Sequence, residues 1–221
     1  MEKKKIIKNV LKIVLIIIIV LVLILVVHTI RNYIIITDLQ NKILQYNDST
    51  NYYIKSISTE NNESVVTMEY YKKDINEVVF LERNLNAEIS KISIYNNGKR
   101  TDTFTETKDS KIAHLNRGTI SINLYNHLET DNNWQTFLGC ITSKIQLVDY
   151  NGKECYVIKG FMSSSSLTFE GSEIYIDKET GLLVKVTEAG TVSEREYEFD
   201  KVEDSIFIEP DISQYTLKEN K

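Results

Sequence analysis

The longest apolar run of this chain lies near its N-terminus, where Ile13 to Val27 follow one another without a charge. With its neighbours the run extends over residues 10–30. As a helix this segment is about 31 Å long, at about 1.5 Å per residue, which matches the hydrocarbon core of a bilayer. The pattern therefore predicts a transmembrane helix.

The charges that flank this run predict its direction. Five lysines precede it, and Arg31 is the basic residue that follows closely. The lysines are Lys3, Lys4, Lys5, Lys8 and Lys12. By the positive-inside rule the N-terminus lies in the cytoplasm. We therefore expect a single-pass protein of the cell membrane whose C-terminal domain is extracellular.

A cleaved signal peptide is the alternative interpretation of the run. Such a peptide ends at a small-residue site of the A-x-A kind, whereas the first alanine of this chain is Ala87. No cysteine follows the run closely, so lipoprotein processing has no acceptor. These features favour an anchor that is retained.

Four regions follow from the pattern. Residues 1–36 form the basic tip and the transmembrane anchor. Residues 37–50 form a juxtamembrane helix, in which Leu39, Ile43 and Tyr46 share one face after a possible cap at Asp38. Residues 51–217 form an extracytoplasmic domain, and residues 218–221 form a tail.

Short apolar–polar alternation dominates the domain and predicts strands. Val66, Met68 and Tyr70, for example, share one face at period two. Asn97-Gly98 and Asn151-Gly152 are two-residue hairpin signals. About eleven mostly antiparallel strands follow: 52–58, 64–72, 77–82, 91–95, 99–106, 111–115, 141–150, 153–161, 167–177, 182–188 and 192–201.

The middle of the domain has helical spacing instead. Ile120, Leu124 and Leu128 recur every fourth residue, and Asp131 can begin a second short helix with Trp134 and Phe137. Strands with these two helical insertions predict an α+β domain with a large curved sheet. The helices either seal a closed core or cover a cavity for an apolar ligand, and the pattern leaves both alternatives open.

Charge and candidate chemistry exclude several functions. Of 26 basic and 31 acidic residues, six basic and one acidic lie in the anchor region, which leaves a net charge of about −10 on the rest. An acidic domain is a poor ligand for nucleic acid. His114 and His127 lack metal-ligand spacing, and no motif joins either to Cys140 as a nucleophile. We expect no enzyme, no catalytic residue, no metal and no cofactor.

Cys140 and Cys155 are candidates for one disulfide. On a regular hairpin that turns at Asn151-Gly152, Cys155 opposes Val148, so a bridge requires Cys140 to lie on a separate element that folds back. Two buried free thiols are the alternative.

Two local motifs resemble the LolA-like lipoprotein-carrier superfamily. One is the run Ile174-Tyr175-Ile176-Asp177-Lys178-Glu179-Thr180-Gly181-Leu182 with Val184 and Lys185, and the other is Phe207-Ile208-Glu209-Pro210-Asp211-Ile212 followed by Tyr215. The resemblance covers about residues 155–217. The Ile/Lys/Asn bias also resembles the composition of low-GC Gram-positive bacteria.

The resemblance implies a half-open antiparallel barrel with a helical lid that binds acyl chains or lipidated partners. Typical carriers are soluble or lipid-anchored shuttles, whereas a helix anchors this chain. The first interpretation is a membrane-anchored, non-catalytic binding protein for an apolar or lipidic ligand. An envelope sensor or protein-interaction module is the alternative, and an envelope hydrolase is the third. The spacing selects these ligand-lining candidates: Met68, Tyr70, Phe80, Ile92, Ile94, Ile120, Leu124, Val157 and Ile176.

Overall fold

The structure is a computed structural model that describes residues 2–46, 48–60, 63–85, 88–115, 128, 132–161, 172–188 and 190–218. Its helices are α1 (Glu2–Leu44) and α2 (Asn133–Thr142), with 3-10 turns at Asp204–Phe207 and Ile212–Gln214. The strands of the described residues are β1 Asn51–Glu60, β2 Glu63–Lys73, β3 Asn76–Leu85, β4 Glu88–Asn96, β5 Thr101–Glu106, β6 Lys111–His114, β7 Lys144–Tyr150, β8 Lys153–Lys159, β9 Glu173–Asp177, β10 Leu183–Glu188, β11 Thr191–Phe199 and β12 Thr216–Leu217.

All twelve strands belong to one sheet with the order β12-β6-β5-β4-β3-β2-β1-β11-β10-β9-β8-β7. Neighbouring strands are antiparallel except β12, which pairs with β6 in parallel. The sheet is curved and does not close. The predicted α+β class, with an N-terminal apolar helix and a half-barrel sheet, is confirmed. Of the two predicted lid helices, the one that carries Ile120 and Leu124 lies outside the described residues.

The second predicted helix is present as α2, but its limits differ. Its N-cap is Asn132 rather than Asp131, because the Asn132 Oδ1 accepts a hydrogen bond of 3.0 Å from the Gln135 N–H. The helix continues to Thr142, so β7 begins at Lys144 and not at Ile141.

The two Asn-Gly pairs form different turns. Asn151 and Gly152 both have positive φ, at 54° and 77°, as a two-residue type I′ hairpin requires. Asn97-Gly98 belongs to a wider loop that ends at Arg100, so the predicted two-residue turn is wrong there. The Asn97 Oδ1 accepts hydrogen bonds of 3.1 Å from the N–H groups of Lys99 and Arg100, which favours the wider loop.

Helix α1 is continuous from Glu2 to Leu44, so residues 37–44 continue the apolar helix. Residues 7–27 are exposed along its whole circumference, and by length and composition this helix can cross a membrane. From Thr29 onward one stripe is buried by the domain, comprising Thr29, Asn32, Ile36, Leu39 and Ile43. No linker therefore separates the apolar helix from the folded domain.

We define the helix-side face of the sheet as the one against which α1 packs. There Ile36 and Leu39 share a buried cluster with Ile158, Ile174 and Ile176 of β8 and β9. The opposite face carries a cluster centred on Val78, Tyr95 and Phe104. The C-terminal segment, residues 204–217, covers that cluster with Ile206, Phe207 and Tyr215.

The Lys-Glu-Thr-Gly turn after β9 holds α1 against the sheet. Gly181 has a φ of 74°, and a Cβ atom at this position would lie 2.7 Å from the Leu39 carbonyl oxygen. The Lys42 Nζ donates a hydrogen bond of 2.8 Å to the Lys178 carbonyl oxygen. The turn glycine is thus required by the approach of the helix as well as by its own backbone conformation.

Candidate functional site

An apolar sheet surface lies on the helix-side face of β2, β3 and β4. Its members are Met68, Tyr70, Leu81, Ile92 and Ile94, which are neighbours because Met68 pairs with Leu81 and Leu81 with Ile92. Tyr70 is fully buried, whereas the other four remain partly exposed. Behind them, Tyr52, Ile54 and Val79 complete a buried cluster.

Four of the predicted ligand-lining residues lie in this surface: Met68, Tyr70, Ile92 and Ile94. Ile176 is on the same face but is buried in the cluster under α1. Phe80 and Val157 lie on the opposite face, so their assignment to the same face as the others is wrong. The pairing register shows this directly, because Tyr70 is opposite Val79 and Ile176 is opposite Tyr156. Ile120 and Leu124 lie outside the described residues.

The cause of the two wrong assignments is the absence of alternation in their strands. Residues 78–81 of β3 and residues 156–158 of β8 are continuous apolar runs. Such runs occur in strands that are buried on both faces, and period two then gives no information on side-chain direction. Phe80 instead makes edge contacts with Tyr71 and Tyr95, at ring-centroid distances of 5.9 and 6.0 Å.

A cavity of about 500 Å³ lies beside the apolar sheet surface, where β10 and β11 separate. The two strands pair only over residues 185–188 and 191–194, so residues 195–199 of β11 pair with β1 alone. Tyr197 and Phe199 line the cavity and also pack against the apolar cluster. The cavity, whose lining also includes Asp177, Glu196 and Glu198, and the adjacent apolar sheet surface are together taken as the candidate site.

Arg195 is a basic residue of this site on the helix-side face, and it lines the cavity. It is opposite Ser56 of β1, and Ser56 is in turn opposite Met68 of β2. Arg195 and Met68 are thus two strands apart on one face, about 10 Å at the usual strand spacing. The guanidinium contacts the Tyr197 hydroxyl, which donates a hydrogen bond of 2.9 Å to the Leu183 carbonyl oxygen. Burial raises the pKa of Tyr197, so its hydroxyl stays protonated and neutral.

The charge of Arg195 has no acidic partner among the described residues. Within the described part of the chain, none of the ion pairs includes Arg195, and its buried Nε has no hydrogen-bond partner. A buried donor on a charged group is costly to leave unpaired. The site thus combines an apolar surface with a cationic group that can accept an anion.

Sequence analysis did not select Arg195, because it lies between two glutamates of β11. Glu194, Glu196 and Glu198 are exposed on the opposite face. The same alternation places Arg195 on the helix-side face with Tyr197 and Phe199. In the sequence, this site could have been recognised from a single arginine that alternates with three glutamates and shares its strand face with two aromatic residues.

Both thiols lie in environments that disfavour the thiolate. Cys140 and Cys155 are both free and buried, so the candidate disulfide is absent from this structure. Cys140 belongs to the helix-side cluster, whereas Cys155 is opposite Val148, as predicted, and lies on the other face of the sheet. Burial raises the pKa of the Cys140 thiol to about 11, and the pKa of Cys155 is raised for the same reason. Among the described residues no cluster of His, Cys, Asp or Glu is arranged for a metal ion.

Comparison with known proteins gives distant structural neighbours. No protein-family model matches the chain, and no curated protein matches its sequence. An uncharacterized conserved protein from Thermus thermophilus is 11% identical with a TM-score of 0.44, over 82% of this chain and 98% of that one. The crystal structure of MucB in complex with MucA(peri) is 15% identical with a TM-score of 0.31, over 77% and 58%. A LolA superfamily protein from Nitrosomonas europaea is 11% identical with a TM-score of 0.27, over 78% and 97%.

Proposed function

We propose that this protein is a membrane-anchored, non-catalytic binding protein for an amphiphilic ligand with an apolar chain and an acidic head. In this proposal α1 crosses the membrane with its N-terminus in the cytoplasm, and a LolA-like domain lies outside. The observation that carries the proposal is Arg195, whose Nε has no hydrogen-bond partner among the described residues, beside a partly exposed apolar surface on one face of the sheet.

The apolar part of the ligand is assigned to Met68, Leu81, Ile92 and Ile94. These side chains are still partly exposed. Covering them with an acyl chain removes apolar area from water at about 25 cal/mol per Å². Small-molecule sites commonly combine such an apolar lining with a few placed polar groups.

The head of the ligand is assigned to Arg195. A guanidinium binds carboxylate and phosphate groups through two parallel hydrogen bonds. A fatty acid and a phospholipid share this anionic chemistry, and either satisfies the unpaired Nε. At about 10 Å between Arg195 and Met68, two strand spacings, one extended chain can contact both.

Photo-crosslinking of the full chain in membranes tests this proposal. A fatty acid with a diazirine on its chain should label residues of β2 to β4 on the helix-side face. Arg195→Gln should reduce that labelling about tenfold, since a hydrogen bond to a charged group contributes about 1.5–3 kcal/mol. Arg83→Gln is the matched control, because Arg83 is an exposed arginine on the same face of β3.

Two further variants test which face of the sheet binds the ligand. Ile94→Asp should abolish the labelling, whereas Ile89→Asp, on the opposite face of the same strand, should not change it. Labelling restricted to residues 7–27 of α1 would contradict a ligand site on the sheet. That result would favour the sensor or protein-interaction interpretation.

A further inference from the structure

C-terminal to residue 27, the domain buries one side of α1, and the side that faces away from the domain is still apolar. Ile30 and Ile34 are 51% and 62% exposed, although the neighbouring stripe is already buried by the domain. Asp38 is the first acidic residue on this exposed side, and Arg31 has a side chain long enough to reach a headgroup. From Ile13 to Ile34 the helix rises about 33 Å, close to the thickness of a hydrocarbon core.

Helix α2 lies against the same stretch of α1. The Asn32 Nδ2 donates hydrogen bonds of 3.1 and 2.9 Å to the carbonyl oxygens of Cys140 and Ser143. Tyr33 meets Phe137 edge-on at a centroid distance of 6.5 Å. The helices are antiparallel, so the C-terminal end of α2 is the end nearer the membrane-crossing part of α1.

The outer side of α2 carries large apolar side chains. Trp134 is 65% exposed and Leu138 is 45% exposed, and the two are one helical turn apart. Trp134 stacks on Phe137 at a centroid distance of 5.6 Å. Aromatic rings with one polar edge are enriched at the level of the lipid headgroups.

The polar donors between the two helices bind acceptors there, whereas the buried Asn32 Oδ1 has no partner among the described residues. Asn32 is fully buried and binds α2, and the Thr29 hydroxyl donates to the Leu25 carbonyl oxygen at 2.8 Å. His28 lies 3.0 Å from the Ser143 carbonyl oxygen through its Nε2. Internal hydrogen bonds of this kind reduce the cost of placing polar donors near lipid.

We infer that α2 lies beside α1 at the outer membrane interface, with Leu138 nearer the hydrocarbon and Trp134, one turn farther out, at the level of the lipid headgroups. This inference rests on the proposed membrane crossing of α1. The surface is continuous with the exposed apolar surface of that helix through Ile30 and Ile34, and this continuity selects a lipid bilayer as the occupant.

Trp134 is the only tryptophan of the chain, so its fluorescence reports on this position directly. The test places the full chain in phosphatidylcholine vesicles in which some lipids carry bromine on the upper part of the acyl chain. The expected results are quenching of Trp134 by these lipids, protection from aqueous iodide and emission at shorter wavelengths than tryptophan in water. Leu138→Asp should reduce the quenching by lipid.

A double variant, Trp134→Phe with Ile208→Trp, is the matched control. Ile208 is 73% exposed on the C-terminal segment, and the tryptophan placed there should be quenched by iodide and not by lipid. Quenching of Trp134 by iodide alone, in chains that float with the vesicles, would overturn the inference and leave the membrane anchor intact. Chains that do not float would overturn both proposals.

Discussion

At the scale of single residues, Gly181 fixes how closely α1 can approach the sheet. Its position after Lys-Glu-Thr in the sequence predicts a turn, but the helix that passes over it is more than one hundred residues away in the chain. The contact with the Leu39 carbonyl oxygen was therefore not predictable from local pattern. Arg195 is a similar case, because only the folded sheet reveals that its Nε has no partner.

Replacement of Gly181 by alanine should destabilise the protein more than replacement of Gly152. Both residues have positive φ, which costs about 1–2 kcal/mol with a side chain. Only Gly181→Ala adds a Cβ contact of 2.7 Å with backbone, whereas Gly152 has nothing within 4 Å. We expect an extra loss of about 1–3 kcal/mol, measured by thermal unfolding of the full chain in detergent. Equal losses for the two variants would show that the helix contact is unimportant.

At the scale of elements, strands with clear alternation and the hairpin at Asn151-Gly152 were predictable. Both elements whose sides were assigned wrongly, β3 and β8, are continuous apolar runs, in which only the pairing register decides direction. The two-residue strand β12 was not predicted. It pairs with β6 only because the C-terminal segment passes over the opposite face of the sheet, and no local sequence pattern indicates that path.

The attachment of β12 should depend on pH. The Tyr215 hydroxyl donates a hydrogen bond to Glu106, and this bond is the main reason that the pKa of Glu106 lies below its ordinary value of 4.5. A lowered carboxyl pKa stabilises the fold above 4.5, and the contribution is lost as the pH falls through the folded value. Tyr215→Phe should cost about 1 kcal/mol near neutral pH, because the pair is partly exposed.

The measurement is unfolding of both proteins at neutral pH and at about pH 3, below the ordinary carboxyl pKa. The difference between the wild type and Tyr215→Phe should shrink in acid. Tyr197→Phe is the control for the loss of a tyrosine hydroxyl, because this hydroxyl donates to the Leu183 carbonyl oxygen and not to a carboxylate. A difference that stays constant with pH would assign the effect to packing of the ring instead.

At the scale of the whole molecule, the two covering elements lie on different faces of the sheet. Helix α1 covers the β8–β9 end of the helix-side face, and the C-terminal segment covers β3 to β6 on the opposite face. The helix-side face of β2 to β4 therefore keeps apolar side chains partly exposed next to Arg195. The α+β class and the apolar helix followed from pattern, whereas this arrangement depends on pairing between β1 and β11, far apart in sequence.

Native mass spectrometry of the full chain, released from mild detergent, is the most direct test of the central claim that the domain holds an acidic amphiphile. The wild-type protein should retain one anionic lipid or fatty acid, and Arg195→Gln and Ile94→Asp should each lose it. Phe80→Ala should keep the bound mass, because Phe80 lies on the opposite face of the sheet. A wild-type protein that carries no such mass, or one whose bound lipid is unaffected by Arg195→Gln and Ile94→Asp, would contradict the assignment.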